Sequence, residues 1–487
     1  MKKTFKIGAM ILSAVMTFGA VSGCGKQEKE DENGVVTLKW YLPGVMEGAD
    51  CQEVLNYANQ KLEEKYNMKI DFNFIDSGNY TEKLNAINAA AQEYDLVFTS
   101  NWANDFYKNV TNGCLLDISE LLPQYAPTLY KNTDENVWKA LTFDGKIYGV
   151  PNWQEQAKGC GLIIDKSKLD KVGMTIDDLN TMDDLTTYVK KVHAVEPNTN
   201  HIGVEWEYMA YKYGIQGIGV GSVAVDYTKE GKPVLFNTYD SDGYEDYVKL
   251  VDSWEKEGLI RNYVDTEANA SKKEVRTNLF QVAGYAPEND VATSISRGYD
   301  CVTKLFSDKA VMSTSGIYAA LTAVSATTKH PEEAVKMLEI MNTDKEIFNT
   351  LLWGIEGKHY TKIDDAHIKL ADGSAYSNIP DFYLGSAANS YVMEGQSADV
   401  WDKIKKYNDD AIVSPILGCN FVTDNIQSEL SNCQTIISKE TAELNRGLCD
   451  DVDAALKNFR EQLKAAGIDR VVAELQSQVD EWWEANK

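Results

Sequence analysis

The sequence predicts an α/β protein built as two lobes, each a mostly parallel open sheet flanked by helices, with a cleft between them. Residues 35–100 alternate strand, helix, strand, helix, strand, which is the grammar of an open parallel sheet. About 450 residues follow the first 34, more than one core holds, so the chain is expected to divide. A fresh series of apolar strands and helices then begins at Gly161.

Ahead of these elements stands a separate N-terminal segment. Lys2, Lys3 and Lys6 precede the apolar run Ile7 to Ala20, which breaks at Val21-Ser22-Gly23-Cys24. An apolar run this short behind basic residues reads as a secretory signal and not as a spanning helix. Val-Ser-Gly-Cys resembles the bacterial lipobox, so residues 1–23 are expected to be a lipoprotein signal and Cys24 the lipidated residue. Residues 24–34 are polar and charged without an apolar period, which predicts a flexible tether.

In the first lobe, Val35 to Leu42 is a β-branched and aromatic strand stopped by Pro43-Gly44. A helix follows from about Glu47 to Tyr66, with Val54, Leu55, Ala58 and Leu62 at helical spacing. Met68 to Ile75 alternates as a second strand, Tyr80 to Gln92 is helical, and Tyr94 to Ser100 is a third, nearly continuous apolar strand. In open α/β sheets, ligands bind beyond the carboxyl ends of the strands. That rule points to Trp40-Tyr41, to Asp76-Ser77 and to Ser100-Asn101-Trp102. Asp144-Gly145 between apolar residues predicts a hairpin, and Pro151 ends the strand after it.

In the second lobe, Thr181 is expected to cap a helix reaching about Ala194. Ile202 to Trp206 is a short strand carrying Glu205 and Trp206 at its end. Tyr239 to Gly243 holds a fragment of a calcium loop, but it lacks a further oxygen ligand and a closing glutamate, so a capped turn is expected. Gly243 to Glu257 is a helix with Tyr247, Leu250, Val251 and Trp254 on one stripe.

The strand ending DLVFTSNW, the segment Leu115 to Leu122, DGKIYGVP at 144–151 and the strand Gly161 to Lys166 together resemble the extracellular solute-binding proteins of ABC importers, maltodextrin-binding type. Asn349 to Tyr360 and Leu463 to Glu474 are similar to a subfamily of these lipoproteins with an uncharacterised C-terminal domain. The resemblance covers nearly all of residues 36–487 and departs in detail, for instance at Trp482-Trp483. It implies a periplasmic-binding-protein type II fold. Val150 to Trp153 would be the first crossing between lobes, and Leu279 to Tyr285 the return strand. The implied division is residues 35–150 in lobe 1, 151–280 in lobe 2, 281–328 back in lobe 1, and 329–487 completing lobe 2 with a helical C-terminal domain.

Composition restricts the function. With 74 acidic against 48 basic residues the net charge is −26, which repels phosphate backbones and excludes a nucleic-acid partner. Besides Cys24, cysteines stand at 51, 114, 160, 301, 419, 433 and 449 with no Cys-x-x-Cys, and the five histidines show no metal spacing. Scattered buried thiols, no metal and no cofactor are expected. There is no phosphate loop, Gly-x-Ser-x-Gly elbow or His-Glu-x-x-His, so no enzyme is expected. A binding cleft for a carbohydrate combines aromatic platforms with amides and carboxylates. Aromatic candidates are Trp40, Tyr41, Trp102, Trp153, Trp206, Tyr285 and Trp353. Polar candidates are Ser100, Asn101, Asn152, Gln154, Glu205 and Glu356, the last of which equally suits a turn. Asp105, Glu288 and Asn289 lie nearby in sequence, and Trp138 and Trp254 are assigned to cores.

The expectation is a monomeric, lipid-anchored receptor on the outer face of the membrane. It would bind an oligosaccharide and deliver it to the ABC permease subunits by hinge closure. An extracellular glycoside hydrolase, or a non-catalytic surface scaffold, are the alternatives.

Overall fold

The computed structural model describes residues 34–260 and 278–486. The signal segment 1–23, Cys24 and the tether up to residue 33 lie outside the described residues.

The first lobe is a five-stranded sheet in the order 68–75, 36–43, 96–99, 321–324, 150–151. Val36–Pro43 runs parallel to Met68–Ile75 over its whole length and parallel to Leu96–Thr99 through Trp40↔Leu96. Leu321–Val324 and Val150–Pro151 are antiparallel to their neighbours. The helix Cys51–Tyr66 starts four residues later than the apolar period suggests and buries Cys51, Val54, Ala58 and Leu62. It ends where Asn67 takes a left-handed conformation, φ 56°, a turn that asparagine tolerates. Asp144 (φ 50°) and Gly145 (φ 79°) form the expected tight hairpin between Thr142–Phe143 and Lys146–Ile147.

The second lobe has a four-stranded sheet in the order 301–305, 160–165, 278–284, 201–204. It is mixed: only Asn278–Gly284 and His201–Val204 are parallel, because Cys160–Asp165 enters between two later strands that run against it. Thr181 caps the helix Met182–Val195 with a reciprocal Asp184 contact. Ser241 caps Asp242–Lys256, so the calcium-loop fragment is a capped turn. The helices Gln427–Leu444, Val452–Ala466 and Ile468–Ala485 put Cys433, Leu456, Phe459, Val471 and Leu475 into the same core as the sheet. The Gln476 amide accepts from Leu235 N at 2.7 Å and donates to Pro233 O at 3.1 Å. The C-terminal helices are thus part of lobe 2.

The structure corrects two expected boundaries. Asn278–Gly284 and Cys301–Leu305 stay in the lobe 2 sheet, so the return to lobe 1 comes after residue 310 and not at 281. Pro331–Thr343 and Lys345–Trp353 pack their apolar faces into the lobe 1 core, so lobe 1 extends well beyond residue 329. An apolar strand or helix face carries no label for the sheet that will cover it; pairing decides.

The chain crosses between lobes at three places that meet in one small sheet. Ala157–Lys158, Val311–Met312 and Ile412–Val413 pair in the order 412–413, 311–312, 157–158. Asn408 fastens the first crossing to the third. Its buried side chain accepts from Gln156 N at 2.9 Å and Ala157 N at 3.0 Å, and donates to Gln154 O at 2.8 Å. Asn408→Ala strands two amides and one carbonyl in a buried site, which is expected to cost ~2–4 kcal/mol in all. A lowered urea midpoint checks this; an unchanged midpoint overturns it.

Candidate ligand-binding cleft

The strand directions fix where the lobes face each other. In lobe 1 the parallel strands end at Pro43, Ile75 and Thr99, and in lobe 2 the strands 201–204 and 278–284 end at Glu205 and Tyr285. Both sets of ends lie beside the crossings, since Gly284 pairs with Cys160 two residues past the hinge strand.

The lobe 1 wall is built on the loop after Leu96–Thr99. The buried Ser100 Oγ accepts from Trp102 N at 3.2 Å and Ala103 N at 2.8 Å and folds the chain back. Asn101 donates its backbone N–H to Tyr318 O at 3.0 Å and its amide to Ser315 O at 3.1 Å. Trp102 donates its indole N–H to Ala319 O at 2.8 Å and leans on Phe98, yet it remains 55% exposed. Its polar tip is satisfied and its ring is held, while one apolar face stays open. An indole in that state is a ready stacking platform. Phe382 and Tyr383 pack against Phe98. The buried Asn152 joins them to the first crossing, donating to Phe382 O at 2.8 Å and accepting from Thr322 Oγ1 at 3.0 Å.

Trp153, half-buried, meets Trp401 edge-on at 6.5 Å. The Trp401 indole donates to Ser390 O at 3.0 Å, and Trp353 donates to Ser390 Oγ at 3.1 Å, so these three tryptophans form one connected support. Trp353 packs on the lobe 1 core. Gln154 presents its backbone carbonyl to Asn408.

On the lobe 2 side, Tyr285 packs edge-on against Tyr407 at 5.5 Å. Burial pushes the Tyr285 phenol up, helped by Asp290 and Glu288. Burial does the same to Tyr208, with Glu207, Glu205 and Glu155 adding to it. Tyr407 is pushed up further by burial, and its hydroxyl has no hydrogen-bond partner among the described residues. Glu205 is exposed at its strand end.

Several expected candidates are placed elsewhere. Trp40 is wholly buried in the lobe 1 core, 5.4 Å from Phe72, because the strand's alternation turns it into that core with Leu38 and Leu42. Tyr41 points to the other face and packs on Tyr94. Trp206 is buried among Tyr213, Tyr244 and Tyr247 and donates to Thr238 Oγ1 at 3.1 Å. Glu356 pairs with Lys362 at 3.2 Å in an exposed turn closed by Gly357 N donating to Tyr360 O. The structure therefore gathers Asn101, Trp102, Asn152, Trp153, Gln154, Glu205 and Tyr285 about the crossings, with Ser100 and Trp353 in support.

Glu155, Tyr208, Asp381 and Tyr407 were not legible as site residues. Only Glu155 adjoined an expected candidate, standing next to Gln154 and two residues past the expected first crossing. Asp381 is half-buried, and its Oδ1 accepts from Phe382 N at 2.8 Å. Burial pushes its carboxyl above the usual range, with Glu155 adding to the effect.

Residues 49–347 match the family described as bacterial extracellular solute-binding protein. This chain belongs to that family. Residues 415–484 of this solute-binding protein match a domain of unknown function, DUF3502, which is the helical part of lobe 2. A carbohydrate ABC transporter substrate-binding protein of Streptococcus pneumoniae serotype 4 is 24% identical over 498 aligned positions, covering 100% of both chains. The crystal structure of N-glycan transport solute binding protein (NgtS) from Streptococcus pneumoniae, also 24% identical, matches 93% of this chain and 100% of that one with a TM-score of 0.80. The structure of NgtS in complex with Man5GlcNAc, at 24% identity, matches 93% and 99% with a TM-score of 0.67. The family places this solute-binding protein outside the cytoplasmic membrane, working with an ABC importer.

A carboxyl held above its usual range keeps its proton more tightly folded than unfolded. Its ionisation therefore costs stability as pH rises through the raised value, and that cost is absent below the unfolded value. Asp381→Asn is expected to raise the Tm of the ligand-free protein by ~2 °C at neutral pH, with the gain fading toward pH 4. Thermal melts across that range check it, and an equal or lower Tm at pH 7 overturns it.

Proposed function

We propose that this chain is a lipid-anchored receptor that captures an oligosaccharide between its lobes and presents it to an ABC permease. The observation that carries the reading is Trp102, an indole fixed through its N–H and open on its face at the carboxyl end of a lobe 1 strand. Sugar rings offer an apolar face to such a platform and a rim of hydroxyls to the amides and carboxylates around it. Asn101, Glu155, Glu205 and Asp381 supply those groups.

The relatives support a carbohydrate cargo, because one is named as a carbohydrate transporter component and another was crystallised with Man5GlcNAc. Ligand contacts made to both walls at once would stabilise the closed state, since only differential contacts shift such an equilibrium. The three short hinge strands are the place for that motion. Cys24 would hold the receptor at the membrane as a monomer, with residues 24–34 as its tether. The cleft would bind its sugar without converting it.

The test is a thermal-shift screen of the purified full chain against mono- and oligosaccharides, peptides and amino acids. A ligand bound only by the native state raises the Tm by mass action. A shift with an oligosaccharide that is recovered intact is expected. Consumption of the sugar, or no shift with any saccharide, overturns the reading. Trp102→Ala is expected to weaken binding by about 30- to 100-fold, the worth of one buried aromatic face, while the ligand-free protein still melts as a folded chain. Unchanged affinity in calorimetry removes Trp102 from the site.

A further inference from the structure

We propose that Glu288 latches lobe 2 to a small sheet on lobe 1, and that protonation of His367 sets this latch. The latch lies outside the hinge sheet, and the inference does not depend on which cargo the cleft takes.

The small sheet pairs Tyr360–Lys362, His367–Leu370 and Val392–Met393. It is fastened to lobe 1. Asn349, on the helix Lys345–Trp353, donates to Asn389 O at 2.8 Å and accepts from Tyr391 N at 2.7 Å. His359 Nε2 lies 3.2 Å from Asp50 Oδ2. The turn after the third strand is closed by Gln396, whose N–H donates to Met393 O at 3.1 Å and whose side chain accepts from Met393 N at 3.1 Å. That turn lies on lobe 2: a Cβ at Gly395 would be 3.4 Å from Val291 Cγ1 on the helix Asn289–Arg297.

Glu288 stands at the start of that helix, just past the lobe 2 strand Asn278–Gly284 and the cleft residue Tyr285. Its backbone is left-handed, φ 59°, a conformation that costs a residue with a side chain. Its carboxylate does not cap its own helix but reaches across to lobe 1. Oε2 accepts from Ser397 N at 2.8 Å, and Oε1 accepts from Ser397 Oγ and from Lys403 Nζ, the latter at 2.5 Å. Lys403 also donates to Ser397 Oγ at 2.8 Å and pairs with Asp399 at 3.0 Å. These charge-assisted bonds join residues 109 positions apart in the chain. Burial raises the Glu288 carboxyl, but Lys403 and Ser397 outweigh it and hold the group below its usual range, so it stays ionised.

Ser397 follows Gln396, and His367 fixes Gln396 to the sheet. His367 Nε2 lies 2.9 Å from Gln396 O, and Nδ1 lies 2.8 Å from Asp364 Oδ2. The Asp364 carboxylate also accepts from Ala366 N and His367 N, each at 2.8 Å, and these bonds hold it below its usual range. A carbonyl and an ionised carboxylate only accept, whereas a neutral imidazole has one N–H to give. Both contacts therefore exist together only in the imidazolium. Asp364 first, and Gln396 O second, hold the His367 ring above its usual value. A group raised on folding contributes stability below its unfolded value, ~6.5, and loses it as pH rises through the folded value. Acid thus sets the turn and base releases it.

The other charged groups on the elements around the ring do not reverse this. Lys369 and Glu394 pair at 3.8 Å, and Lys362 is held by Glu356 at 3.2 Å. Asp365 is exposed beside Asp364, and its charge favours the imidazolium as well. Glu288, Lys403 and Asp399 satisfy one another across the turn. A latch between lobes that yields to pH makes the equilibrium between lobe arrangements depend on pH.

The experiment is hydrogen–deuterium exchange of the full chain in detergent, without sugar, from about pH 5.5 to about pH 8.5, with each rate divided by its intrinsic value. Peptides over 393–400 and 285–297 are expected to be about 10-fold better protected at the acid end, while the lobe 1 strand 96–99 is equally protected throughout. His367→Gln is expected to abolish the pH dependence in both peptides. A role confined to the small sheet would leave 285–297, on lobe 2, unmoved. Asp364→Asn is expected to move the transition to lower pH. Glu288→Ala is expected to cut the protection of 285–297 at every pH while 393–400 keeps its pH dependence. Melting curves show that each variant is folded. Equal protection at both ends of the range in the unaltered chain, or a pH dependence that survives His367→Gln, overturns the switch. Unchanged protection of 285–297 in Glu288→Ala overturns the latch.

Discussion

The pairing of three separated chain segments in one small hinge sheet is the constraint on which the rest of the structure depends. Each strand is two residues long, so the sheet by itself has few hydrogen bonds. Asn408 makes up the difference from a buried position, satisfying two amides and a carbonyl with one side chain. A third tie comes from Thr314 Oγ1, which accepts from Gly418 N at 2.8 Å just past the third crossing. At Gly316 any side chain would meet Gln156 O, since a Cβ there would lie 2.3 Å from that oxygen. The crossings are therefore packed backbone to backbone.

From that hinge the two walls inherit their character. Both lobes direct strand ends toward the crossings, and strand ends carry loops whose side chains need not pack under helices. Trp102 shows the result. Its loop is folded by Ser100 and fastened to the Ser315–Ala319 segment, which belongs to the second crossing. The platform is thus positioned by the same crossing that allows the lobes to move. At Asp381, burial holds a half-buried carboxyl, with no cation paired to it among the described residues, above its usual range.

Legibility in the sequence followed the range of the interaction. The hairpin at Asp144-Gly145, the cap at Thr181 and the capped turn at Ser241 are local, and each appeared where short-range rules place it. Trp254 was assigned to the core from its helical stripe and is fully buried. Among the candidate site residues, Asn101-Trp102 and Glu205 lie where a strand end exposes its loop. Trp40 and Trp206 were misread. Which side of a strand or helix is covered depends on elements brought up by the fold: Trp40 lies in the lobe 1 core beside Phe72, and Trp206 lies against Tyr244 and Tyr247 of the helix Asp242–Lys256.

By itself, the sequence determined the α/β class, the division into two lobes and the acidic surface, while the first crossing near Pro151 was implied by the family resemblance. The first three follow from composition, periodicity and turn chemistry, which act within a few residues. Only the tertiary structure decided that 278–284 and 301–305 remain in lobe 2 and that 331–353 belongs to lobe 1. Those outcomes are set by which strands pair and which apolar faces cover one another, and such contacts join residues more than a hundred positions apart.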